Sequence, residues 1–217
     1  HASAPHVSQI ETLDALGLLG LWLPYIDGAD AFYDRSLQVR RQLYGPTSSE
    51  AAVGMANLAE RYVELDDADA AIPLLQGAIE IIESGPMATT VESAEVRFVL
   101  AAAQLRAGYS EDAEESFSAL LDMANELVEA QELDPEDVRI ATLLVGQGQA
   151  RVLQGQFADA EAPLRDALAR RMARFDTGHP LLAESQGALG IALSELGRSR
   201  EAEPLFLAAL PTFELGD

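Results

Sequence analysis

The sequence of 217 residues contains no cysteine and no lysine. The first absence rules out disulfides, thiol nucleophiles and thiolate metal sites, and says little about redox compartment, because a cysteine-free chain suits any. The second means that all fourteen basic residues are arginine, set against 36 acidic ones, for a formal net charge of −22. Such a balance repels phosphate backbones and anionic headgroups, so nucleic acid and membrane surfaces are disfavoured and a basic or apolar partner fits better. Solubility alone is the competing reason for the charge. Long apolar runs are missing too. A membrane span takes about 18 such residues, and the nearest stretch, "LGLLGLWL" at 16–23, is too short.

Chemistry is equally thin. There is no glycine-rich phosphate loop with lysine, no Gly-x-Ser-x-Gly elbow and no zinc-type histidine spacing. Histidine is confined to His1, His6 and His179. Of these, His179 precedes Pro180 at a helix start and reads as a loop or capping residue. Carboxylate pairs are numerous because acids are numerous, and Glu161–Arg165 and Asp166–Arg170 are spaced as ordinary helix-surface ion pairs. The arginines of "RRMAR" (170–174) read as a solvated face. The expectation is a chain with no catalytic residues, no metal and no cofactor, hence no enzyme. At the start, "HASAPHV" lacks methionine, and Ala-Ser-Ala is the pattern left around a signal-peptide cut, which points to export; a tag histidine is the other reading. Residues 1–9 are set apart as an extension on this ground.

What the sequence has in quantity is repetition. "LPYIDGADAFYDRSL" (23–37), "LDDADAAIPLLQGAI" (65–79), "AGYSEDAEESFSALL" (107–121), "QGQFADAEAPLRDAL" (154–168) and "LGRSREAEPLFLAAL" (196–210) align without gaps. One column holds Ala29, Ala71, Ala113, Ala160 and Ala202. One helical turn later stand Tyr33, Leu75, Phe117, Leu164 and Phe206, and a turn beyond that Leu37, Ile79, Leu121, Leu168 and Leu210. This is a helix with a small residue where a neighbour approaches closely and bulky ones along the same face. Upstream of each copy runs a second helical pattern with its own paired column, Leu16-Gly17, Leu58-Ala59, Leu100-Ala101, Gln147-Gly148 and Leu189-Gly190. A turn residue separates the two patterns: Gly108, Gly155 or Gly197, replaced by Asp66 and Pro24 in the other copies.

The unit is therefore a helical hairpin repeated five times, with units starting near 10, 52, 94, 141 and 183. Neither helix buries its apolar stripe alone, so successive hairpins are expected to stack into one all-α solenoid over 10–217, a right-handed α-α superhelix. One interval is five residues longer than the others. The extra residues fall in "EAQELDPEDVR" (129–139), lengthening the preceding helix or its loop, with Asp134 and Pro135 expected to cap and open the next helix.

These columns resemble the tetratricopeptide repeat, and the 42-residue period is similar to the longer version found in the kinesin light chain and its bacterial homologues. The likeness rests on "EAEPLFLAAL", "SLQVRRQLYGPTSSEAA" and "FDTGHPLLAESQGALGIALSELG", and covers residues from about 10 to 214. Departures are Pro24 at the turn, Gln147 in the leucine column, and Gln104 and Arg151 where a bulky residue is commoner.

The resemblance implies a docking scaffold for proteins or peptides whose first helices line a concave groove. Groove candidates are Asn57, Glu60 and Glu64; Glu95, Phe98, Ala102 and Arg106; Thr142, Val145 and Gln149; and Glu184, Ile191 and Glu195. Acids dominate, with apolar gaps. Asn57, in "NLAERY", matches an asparagine that in peptide-binding relatives holds the ligand backbone. Relatives that grip acidic C-termini place several cations here, whereas Arg106 is nearly alone, so a basic or amphipathic protein segment is the expected partner. The stretch "LDALGLLGLWL" is apolar nearly all round. Leu18, Leu21 and Trp22 are thus candidates for self-association as a homodimer, for an apolar anchor, or for contact with preceding residues. A self-assembling module, supported by the uncapped "ALPTFELGD" at the C-terminus, and a regulatory domain of a larger signalling protein are the other readings.

Overall fold

The computed structural model describes residues 6–22, 29–85 and 91–214, the side chains of 17–22, 29–30, 91–92, 211 and 213–214 excepted. Ten α-helices fill them: α1 (Val7–Trp22), α2 (Ala29–Tyr44), α3 (Ser49–Glu64), α4 (Ala68–Glu83), α5 (Val91–Ala107), α6 (Ser110–Glu129), α7 (Val138–Leu153), α8 (Phe157–Arg174), α9 (Pro180–Glu195) and α10 (Ser199–Glu214). The odd-numbered helices start at Val7, Ser49, Val91, Val138 and Pro180, at intervals of 42, 42, 47 and 42 residues.

The chain forms two compact units, 1–107 and 108–217. In the first, α1 packs on α2, α2 on α3, α3 on α4, and α4 on α5, with α5 also touching α3. In the second, α6 packs on α7, α7 on α8, α8 on α9, and α9 on α10, with α7 beside α9.

The alanine column forms the tight seam of the packing. Ala71, Ala113, Ala160 and Ala202 are buried, as are Tyr33, Leu75, Phe117 and Leu164 one turn on. The small column of the first helices receives these bulky residues directly. A Cβ added at Gly148 would lie 2.5 Å from Leu164, and one at Gly190 would lie 2.7 Å from Phe206. Close helix contact here depends on the missing side chain. The residues that depart from the pattern find polar partners. Gln147 Nε2 donates to Ser118 at 2.9 Å, and Arg151 Nε donates to Glu114 at 2.7 Å.

Turns and caps follow from local chemistry. Gly108, Gly155 and Gly197 take φ of 80°, 74° and 74°, and Asp66 takes the same left-handed conformation at 62°. Aspartate tolerates that region better than most side chains. After α3, α7 and α9 the chain closes with paired bonds back to the last turn, as in Asp67 N–H to Tyr62 O at 2.8 Å and Arg198 N–H to Leu193 O at 2.9 Å, which satisfy otherwise orphaned carbonyls. Ser48, Asp67, Asp137 and His179 cap α3, α4, α7 and α9.

The long interval lies in α6, which has 20 residues where α2, α4 and α10 have 16. The expected cap at Asp134 is displaced. Asp134 to Asp137 form one turn, closed by Asp137 N–H to Asp134 O at 2.9 Å, and Asp137 then accepts the Arg139 N–H at 2.8 Å to open α7. Pro135 belongs to that turn, and its carbonyl accepts from Arg170 Nη1 of α8. The sequence "ALPTFE" continues α10 through Glu214.

Candidate functional site

In the first unit, Asn57, Glu60 and Glu64 recur at helical spacing along α3, and Glu95 and Phe98 occupy the neighbouring helix α5. Glu60, Glu64 and Glu95 are exposed, while Asn57, Phe98 and Ala102 are half-buried. The three carboxylates feel one another. Partial burial pushes the Glu60 carboxyl above its ordinary range, and the Glu64 and Glu95 charges push it further. The Tyr33 phenol of α2 is raised by burial first, then by Glu64, Asp14 and Glu60. Among the described residues the one cation bonded to this trio is Arg61, 3.4 Å from Glu64. Arg106 is instead engaged with Asp66 at 3.0 Å. Val53 adds an exposed apolar side chain on α3.

The second unit presents a different strip. Thr142 and Gln149 of α7 are half-buried, and Leu153, one turn beyond Gln149, is 58% exposed. On α9 lie Glu184, with a side chain 42% exposed, then Ile191 at 47% and the exposed Glu195. Val145, expected in the groove, is buried in a core cluster with Ala141 and Ala167, because its side of α7 packs inward.

Beneath this strip sits Arg171 of α8, 0% exposed and the largest fully buried side chain. Its Nη1 donates to Leu181 O at 2.5 Å, Ser185 Oγ at 2.8 Å and Glu184 Oε2 at 2.9 Å, and its Nη2 to Thr142 Oγ1 at 3.2 Å. Its Nε is buried without a partner. The reading of "RRMAR" as a solvated face is thus corrected at Arg171, which continues the inward stripe Ala160, Leu164, Leu168 of α8. Of its neighbours, Arg170 is half-buried on Asp166 at 3.0 Å, and Arg174 lies at the surface 3.8 Å from Asp134. Arg40, at the matching place in α2, makes a similar reach. It donates to Asp14 of α1 at 2.6 Å and to Glu50 O of α3 at 3.5 Å.

Sequence reasoning missed Arg171, Leu153 and Val53. The signal for Arg171 was its register, three residues after the inward Leu168 and seven after Leu164. His179 is the cap expected of it, its Nδ1 accepting the Leu181 N–H at 3.2 Å while the ring stacks on Phe175 at 3.9 Å. Leu18, Leu21 and Trp22 belong to the backbone of α1, but their side chains, like all of Pro24, lie outside the described residues. Among the described residues no group of His, Asp and Glu is placed to hold a metal ion, and no helix is long and apolar enough to cross a membrane.

Solved structures with the same fold are numerous. A kinesin light chain candidate from Podosopora anserina with nearly identical TPR-like repeats superposes with a TM-score of 0.76 at 17% identity, over 95% of this chain and 96% of that one. BtubC (BKLC) from P. vanneervenii gives 0.75 at 19% identity, over 95% and 80%. A Rap protein complexed with competence and sporulation factor gives 0.69 at 14% identity, over 95% and 54%. No curated protein sequence matches the chain. The fold is the TPR-like solenoid class, in general a protein-interaction scaffold and generally non-catalytic. The family model for the tetratricopeptide repeat matches residues 26–84 and 139–214, the stretches where small first-helix columns meet bulky second-helix ones, and the chain belongs to the tetratricopeptide repeat family.

Proposed function

We propose that the chain is a non-catalytic docking module that takes a basic or amphipathic protein segment on the faces of its first helices. The observation that carries this is the convergence of Glu60, Glu64 and Glu95 on α3 and α5, where partial burial first and the two neighbouring charges second raise the Glu60 carboxyl. Like charges held together cost energy in the free protein, and that cost is relieved when cationic side chains settle among them. In the first unit exposed Val53 shares α3 with Glu60 and Glu64, and in the second exposed Ile191 shares α9 with Glu184 and Glu195 while Leu153 is exposed on α7, so each unit offers apolar contact with its own acids. A Rap protein with the same fold was solved in complex with competence and sporulation factor, which supports a docked ligand for a chain of this kind.

The test is a titration with an arginine-rich peptide at low and at moderate salt. Affinity falls as salt rises, because contacts between exposed charges are screened over about 10 Å at 0.1 M. The Glu60→Gln, Glu64→Gln, Glu95→Gln triple variant loses both affinity and salt dependence. Unchanged affinity in that variant refutes the assignment of the cation-binding face.

A further inference from the structure

We propose that the α9 face around Gly187 is a docking notch for one apolar side chain of a partner segment that is basic on either side of it. The inference rests on the docking reading above and names the anchor in the second unit. It starts from an inconsistency among the helix-interior glycines. A Cβ added at Gly54, Gly77, Gly146, Gly148 or Gly190 would come within 2.8 Å of a neighbouring side chain, so packing inside the chain explains each of them. At Gly187 a Cβ would meet nothing within 4 Å. Glycine in a helix interior costs roughly 1 kcal/mol relative to alanine, and here no internal contact offsets it. The space above Gly187 is open, and a side chain arriving from outside can occupy it.

The surroundings define that visitor. Glu184, Gly187, Ile191 and Glu195 follow one another at helical spacing, so they lie along one face of α9. Ile191 is exposed beside the notch, and Leu153 is exposed on α7, the helix that lies alongside. Carboxylates stand at both ends of the strip. Arg171 holds Glu184 through Oε2 alone, and among the described residues Oε1 of Glu184 and the whole carboxylate of Glu195 have no bonded partner. From Glu184 to Glu195 the helix rises roughly 16 Å, a span that four steps of extended chain, about 14 Å, cover together with the reach of two long basic side chains. The complementary segment therefore carries two basic side chains about four residues apart, with an apolar one between them.

Two labelled twelve-residue peptides serve as probes, one containing Arg-Ser-Leu-Ser-Arg and the other Arg-Ser-Ser-Ser-Arg, both capped at their ends. The wild-type chain is expected to prefer the leucine peptide by about tenfold, the measure of one well-buried apolar side chain. Gly187→Leu fills the notch and abolishes that preference while still binding the serine peptide. Gly187→Ala, which leaves most of the notch open, melts no lower than wild type, because packing does not require the glycine. A leucine preference that survives in Gly187→Leu, or a lower melting temperature for Gly187→Ala, overturns the inference. Equal binding of both peptides to wild type overturns it as well but leaves docking of basic segments standing, whereas failure of both to bind removes the docking reading itself.

Discussion

Replacing the column alanines by leucine tests the packing argument most directly. Ala113 and Ala160 are fully buried, and Ala160 shares a cluster with Leu164, Leu182 and Leu189, so α8 and α9 are already in contact around it. The neighbouring Gly148 has no room even for a Cβ, which would sit 2.5 Å from Leu164. The added isobutyl carbons have no free volume to enter, and overpacking of this kind costs about 1–3 kcal/mol. At roughly 2–4 °C per kcal/mol for a chain of this size, the melting temperature falls by about 2–12 °C. Ala158 and Ala169 stand on the same helix as Ala160 but are exposed, so their leucine variants stay within about 0.5 kcal/mol of wild type. The assay is urea and thermal unfolding followed by circular dichroism, with the urea slope compared among variants, since repeat arrays can lose two-state behaviour. Four variants that melt alike would show that the seam has no special packing role, and the helix-face assignments built on the same register would fall with it.

Three further outcomes are expected. Glu60 binds its proton more tightly in the fold than unfolded, so its favourable contribution is complete below about pH 4.3 and is lost as pH rises through the raised folded value; Glu60→Gln is therefore more stable than wild type at pH 7, an advantage that disappears near pH 4 in paired melts. Glu161, bonded by Arg165 and then Arg198, and Glu201, bonded first by Arg198, have lowered carboxyl values, so their contribution is full above the unfolded range and is lost as pH falls through the depressed ones; Glu161→Gln shows a flatter acid limb of stability against pH. Arg171→Ala unpairs Thr142 and Ser185 and leaves a void where a fully buried side chain stood, costing about 2–5 kcal/mol in urea unfolding, whereas Arg171→Met fills the space with apolar atoms and costs clearly less.

The hairpins were legible because their evidence is redundant. Ala71, Ala113, Ala160 and Ala202 can be aligned without gaps, and each carries a bulky residue one turn later, so the register survives a local departure such as Gln147. Asp66 could be read as a turn residue because it stands where other copies have glycine. The cap at Asp137 was not legible, since Asp134-Pro135 and Asp137-Val138 both look like helix starts and the choice depends on which turn closes. Side-chain depth was the harder problem. Periodicity places Val145 on a side of α7, but whether that side meets solvent depends on how α6 and α8 cover it, which is a tertiary fact. Arg171 was misread because three arginines in five residues look alike until the inward stripe is traced through them, and only Arg174 of the three is exposed.

Arg40 and Arg171 bear on how the hairpins come apart. Each issues from a second helix and bonds at once to its own first helix, at Asp14 or Thr142, and to the first helix of the following hairpin, at Glu50 O or Leu181 O. In a linear array the sharpness of unfolding is set by the coupling between nearest neighbours relative to the stability of each repeat. A side chain that loses partners whichever of its two junctions opens adds to that coupling as well as to its own hairpin. The junctions it serves, α1–α2 with α3 and α7–α8 with α9, are expected to open as joint events, whereas α4 carries the apolar Ile82 at the matching place and is tied to the next hairpin through Glu83 and Arg97 of α5 instead.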